Sequence, residues 1–122
     1  MEIIHRKENG VDIALLSGPA GCIADAAEAL EAAMSARHET GASRLVIDKR
    51  LLAEDFFILS TGLAGEIPQK IINYHIKAAI WGDCARYTSK PLRDFIYESS
   101  CGRDFFFVET EEEAVRRVAE AR

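Results

Sequence analysis

The polar loop at 83–90 and the helix that follows it hold the residues best suited to chemistry. Asp83, Arg86, Tyr87, Ser89, Lys90 and Arg93 lie close together in the chain. Arg86, Ser89, Lys90 and Arg93 have the charge and hydroxyl groups to converge on an anion at a helix start, where free amide groups point outward. The same residues also admit a structural reading, in which Arg86 and Arg93 pair with Asp83, Asp94 or Glu98 and Tyr87 packs on the loop. A second candidate is Ser60-Thr61, two hydroxyls ahead of another helix. Phosphorylation there would add about two negative charges and release or recruit a partner, although either hydroxyl serves equally well as a helix cap.

Other reactive side chains do not form a site. Cys22, Cys84 and Cys101 are odd in number and widely spaced, which fits neither a disulfide framework nor a zinc knuckle. They read as reduced thiols of a cytosolic protein. Cys84 would need a base and a lowered pKa to act as a nucleophile, and His75 belongs at the opposite end of its strand. Asp48, Glu54 and Asp55 have no histidine at ligand spacing. No catalytic residue, metal or cofactor is assigned.

These residues must be held by an alternating set of strands and helices. Residues 3–6 and 11–16 predict an antiparallel hairpin around Asn9-Gly10. A helix over 23–38 follows the Gly-Pro break, with Ile23, Ala26, Ala27, Leu30, Ala33, Met34 and Arg37 at helical spacing and Gly41 as its stop. Residues 44–48 read as a buried parallel strand. Residues 49–59 fit neither period and predict a loop with a turn at 53–55. The next helix ends near Tyr74, and beginning it near Glu66 puts Pro68 in its first turn. A strand at 76–81 and a helix capped by Ser89 come next. A strand at 104–109 then leads to a helix opened by the Thr110–Glu113 capping box.

The order predicts a small single-domain α/β fold. It has four helices and a mixed sheet of about five strands, an N-terminal antiparallel hairpin followed by parallel βα units. Neither a dinucleotide fingerprint nor a phosphate-binding Gly-rich loop ending in Lys-Ser or Lys-Thr is present. Alternation groups Asp12, Ala14, Val46, Lys77, Ala79, Trp81, Phe106 and Val108 on one sheet face. The other face receives Val11, Ile13, Leu15, Leu45, Ile47, Ile76, Ala78, Ile80, Phe105 and Phe107. If all four helices cover the second face, Ala79, Trp81, Phe106 and Val108 form an exposed candidate interface. If helices cover both faces, they do not, and register decides between these outcomes.

The 122 residues fit one domain, and the net charge of −5 argues against a general nucleic-acid binder. The N-terminus has no apolar targeting core. No apolar run approaches the roughly 18 residues needed to span a bilayer. The expectation is a cytoplasmic protein that touches a protein partner or its own copies, and neither nucleic acid nor membrane.

The second half carries a specific resemblance. The run from Ser60-Thr61-Gly62-Leu63-Ala64-Gly65-Glu66-Ile67 through Gln69-Lys70, Asn73-Tyr74, Gly82-Asp83 and Arg86-Tyr87-Thr88-Ser89-Lys90 to Leu92-Arg93-Asp94-Phe95-Ile96-Tyr97-Glu98-Ser99 closely resembles a bacterial family, domain of unknown function 4180. The resemblance spans nearly the whole chain and implies no established activity. The order of elements also resembles the sulfate-transporter and anti-sigma-factor-antagonist fold, a one-sided strand-helix superhelix. Antagonists of that kind carry an Asp-Ser-Ser-Gly phosphorylation motif where this chain reads Leu59-Ser60-Thr61-Gly62. The resemblance therefore implies the fold more firmly than the switch. Function is expected to be that of a non-enzymatic regulatory or protein-interaction module. The alternative is a small-molecule or anion sensor, or an enzyme, using residues 83–93.

Overall fold

A computed structural model describes residues 1–58, 62–83, 87 and 89–121, with the backbone alone at residue 100. Strands β1 (Glu2–Glu8) and β2 (Val11–Ser17) form the predicted hairpin. Asn9 and Gly10 both take positive φ, 52° and 80°, as a two-residue turn between twisted strands requires. Helix α1 (Ala26–Thr40), strand β3 (Arg44–Asp48), helix α2 (Leu63–Asn73), strand β4 (Lys77–Trp81), helix α3 (Lys90–Ser100), strand β5 (Phe105–Val108) and helix α4 (Glu111–Glu120) follow.

The sheet order is β1-β2-β3-β4-β5, antiparallel at the hairpin and parallel thereafter. Each new parallel strand is added on the same side of the last. Right-handed crossovers in one direction place α1, α2 and α3 on one sheet face. They cover Ala14, Leu16, Leu45, Ile47, Ala78, Ile80, Phe105 and Phe107. Helix α4 comes after the last of the described strands and lies across the opposite face, over Ile13, Leu15, Val46, Ala79, Phe106 and Val108.

Helices therefore cover both faces. Ala79, Phe106 and Val108 are buried beneath α4, and Trp81 is half-buried in the same cluster. The expected exposed patch is an internal contact. The face assignment of β2 is also reversed from expectation. Ala14 aligns with Leu45 and Leu15 with Val46, so Val11, Ile13 and Leu15 share the face of Val46 and Ala79.

Three local expectations shift as well. In α1 the buried positions are Ala26, Ala29, Ala32, Ala33 and Ala36, whereas Ala27 and Met34 are exposed. Small side chains let this helix lie close to the strands. Its start is fixed by Asp25, whose carboxylate accepts from the Glu28 amide at 2.8 Å. Helix α2 begins at Leu63 rather than near Glu66, so Pro68 is interior and buried. Residues 49–57 contain two short 3-10 turns, Lys49–Leu51 and Glu54–Phe57, that drive Leu51, Phe56 and Phe57 into the crossover-side core.

Candidate functional site

The carboxyl ends of the parallel strands form one rim, where open α/β sheets bind their ligands. Three segments meet there. The loop after β2 is tied to the segment after β3 by backbone bonds: the Gly21 amide donates to the Arg50 carbonyl, and the Ile23 amide to the Leu51 carbonyl, both at 2.8 Å. The Ala53 amide returns a bond to the Ile23 carbonyl at 3.0 Å, completing a parallel bridge between Ile23 and Leu52. Between these segments opens a cleft of about 330 Å³ lined by Ala20, Gly21, Lys49, Arg50, Leu52, Glu54 and Phe57.

Lys49 joins this cleft to the loop after β4. Its ammonium donates to the Asp83 carbonyl at 2.6 Å. It also lies 4.7 Å from the Tyr87 ring centre and 5.4 Å from that of Phe57. The two rings stack at 4.7 Å with planes 11° apart. Gly82 makes the approach feasible. A Cβ there would stand 2.8 Å from the Lys49 Cβ, and the residue has φ +144°. Among the described residues no carboxylate lies within ion-pair distance of Lys49. Its charge is held by a neutral carbonyl and two aromatic faces.

Arg50 is different. Its guanidinium donates to both Asp48 oxygens, at 2.7 Å from Nη2 to Oδ2 and 3.3 Å from Nε to Oδ1, and its amide donates to Oδ1 at 3.0 Å. Burial pushes the Asp48 carboxyl up. The Arg50 donors, with the Lys49 charge nearby, outweigh that and hold it below the usual carboxylate value. Asp48 is thus a fixed anion that shapes the turn after β3.

The residues expected at 83–93 divide between two places. Asp83 and Tyr87 face the Lys49 cluster. Ser89 is the α3 cap, its hydroxyl accepting from the Leu92 amide at 3.5 Å. Lys90 and Arg93 lie on the outer side of α3 with Asp94 and Tyr97. Lys90 bonds Asp94 at 2.8 Å, which raises its pKa. Arg86, Ser60 and Thr61 fall outside the described residues; Gly62, with φ 78°, stands at the start of α2. Sequence reasoning passed over Lys49, Phe57 and Gly21. The available signal was position, since Lys49 directly follows a buried parallel strand and Gly21 ends a Gly-Pro break.

The three rim segments lie within the part of the chain that a family model matches. The model of the family described as Domain of unknown function (DUF4180) matches residues 8–118. The chain belongs to the DUF4180 family. No curated protein and no solved structure matches the chain. In DUF4180 terms the rim is part of the family domain: Gly21, Lys49, Phe57, Gly82 and Tyr87 all lie within the match. No helix among the described residues is long and apolar enough to cross a membrane.

Proposed function

We propose that this DUF4180 protein is a non-enzymatic regulatory module that takes a small anionic molecule with an apolar or aromatic body in the rim cleft. The observation that carries this reading is Lys49. Lys49, a half-buried residue whose ammonium has no carboxylate within ion-pair distance among the described residues, stands at the mouth of a cleft walled by Leu52 and Phe57. An acidic ligand supplies a direct ion-pair partner for Lys49 beyond the more distant Asp48 charge, while its body lies against the Phe57 and Leu52 walls. A binding role fits better than a catalytic one. The cleft lining carries the carboxylate Glu54 but neither histidine nor cysteine, and Asp48 is committed to Arg50.

Lys49 links the segment after β3 to the loop after β4, so ligand binding there bears on the loop carrying Asp83 and Tyr87. That loop leads to Ser89, Lys90 and Arg93, which present the response to a protein partner. A cytoplasmic setting accords with free Cys22 and Cys101. The strand-helix order of the crossover side supports kinship with the anti-sigma-factor-antagonist fold, although α4 covers the face that a one-sided superhelix leaves open, and Ser60 or Thr61 would be its phosphorylation site.

The test is thermal stabilisation and calorimetric titration with a panel of aryl and alkyl carboxylates and phosphate esters. At least one class should raise the wild-type Tm, and Lys49→Met should abolish that increment while Lys90→Met retains it. A wild type unmoved by every member, or a Lys49→Met protein stabilised equally, overturns the reading.

A further inference from the structure

Among the described residues strand β1 is an outer edge of the sheet and pairs with β2 alone. The two-residue Asn9-Gly10 loop makes Glu8 and Val11 a hydrogen-bonded pair. Counting back by twos, Arg6, Ile4 and Glu2 also aim their backbone groups at β2. The amides and carbonyls of Ile3, His5 and Lys7 therefore point outward, unpaired by the sheet. An added antiparallel strand must set its own outward-facing residues against these.

A second β1 satisfies this rule in few registers, and charge separates them. Centring the pair on His5 sets Glu2 against Glu8 of the other copy. Centring it on Arg6 sets the two arginines together. Centring it on Ile4 gives hydrogen-bonded pairs between Ile3 and His5 in both directions, sets Ile4 against Ile4, and places each Glu2 opposite an Arg6. Ile4 is 51% exposed, a large apolar side chain on a strand otherwise rich in charge. Glu2, Ile4 and Arg6 share one face, so the apolar contact is flanked by two opposite-charge pairs. The charges along this edge thus complement one another when the pair centres on Ile4 and clash when it centres on His5 or Arg6, while centring on Ile3 leaves Glu2 facing Ile4 with no opposite charge.

We propose that β1 is a self-recognition edge. A second copy of this chain adds antiparallel to it about a two-fold axis through Ile4, joining two five-stranded sheets into one. The proposal uses a surface separate from the rim cleft and stands or falls independently of it.

Sedimentation equilibrium over a concentration series at low salt tests it. Wild type should show a monomer–dimer equilibrium. Glu2→Arg alone and Arg6→Glu alone each set like charges opposite one another and should weaken dimerisation by about tenfold or more. The decisive arms are complementary. The double variant Glu2→Arg/Arg6→Glu should recover the dimer, and mixing the two single variants should give a heterodimer tighter than either homodimer. Ile4→Lys, at a half-exposed position, should weaken every form, with circular dichroism confirming that each variant is folded. A monomeric wild type throughout, a dimer indifferent to the charge changes, or single variants that fail to associate on mixing overturns the proposal.

Discussion

The two faces of the sheet are covered by different means. On one, α1, α2 and α3 are crossovers, each pinned by a strand at both ends, and they enclose the larger core with Phe56, Phe57 and Phe107. On the other, α4 follows β5, the last of the described strands. Its start is capped by Thr110, which accepts from the Glu113 amide at 3.2 Å. Its far end is fastened by Arg44, whose Nη1 donates to the Val118 carbonyl and to that of Ala121 at 2.6 Å. The Arg117 guanidinium lies 4.4 Å from the centre of the Phe106 ring. Cover that connectivity imposes is hard to lose. Helix α4 is held by the apolar contacts of Ala114, Val115 and Val118 and by these polar fastenings, and is expected to open before the crossover face does.

Phe56→Ala on the crossover face should have the largest effect. The side chain is 1% exposed and contacts the Phe57 and Phe107 rings. Its loss should cost about 3–5 kcal/mol in urea unfolding, with the whole domain affected. A change confined to the rim would break the contrast between faces. Arg44→Met should cost less, about 1–3 kcal/mol, because it strips the partner from carbonyls at the α4 end. Amide hydrogen exchange should quicken in α4 and leave α1 unchanged. Equal acceleration in both helices would show that the faces open together.

Asp48, at the rim where the faces meet, should give the smallest effect and a specific pH signature. Its folded pKa lies below the ordinary 3.8. Its contribution is therefore complete above that value and is lost as pH falls through the lower folded value. Urea midpoints of wild type and Asp48→Asn should differ near neutrality and converge under acid conditions. A gap that stays constant with pH would remove Asp48 from the acid response.

These same features explain what the sequence could reveal. The hairpin was legible because Asn-Gly has one favoured use between strands, and caps at Ser89, Thr110 and Gly41 fall where expected. Strand phase in β2 was hidden because Ile13, Ala14, Leu15 and Leu16 are all buried. A strand covered on both faces shows no alternation. The phase of α1 was hidden for a related reason, since alanines occupy both its buried and exposed positions. The rim cleft depends on Gly82 letting Lys49 pass over the end of β4, a contact between residues more than thirty positions apart. Neither residue announces that meeting in its local pattern.

The monotone strand order also has a kinetic consequence. Every strand after the first pairs with the strand immediately before it in the chain. During synthesis each emerging strand finds its template already laid down, and no earlier edge must wait for a distant partner. The sheet can lengthen in the direction of translation, with α4 closing over the exposed strands once β5 is in place. Refolding from denaturant can begin at the hairpin and advance the same way.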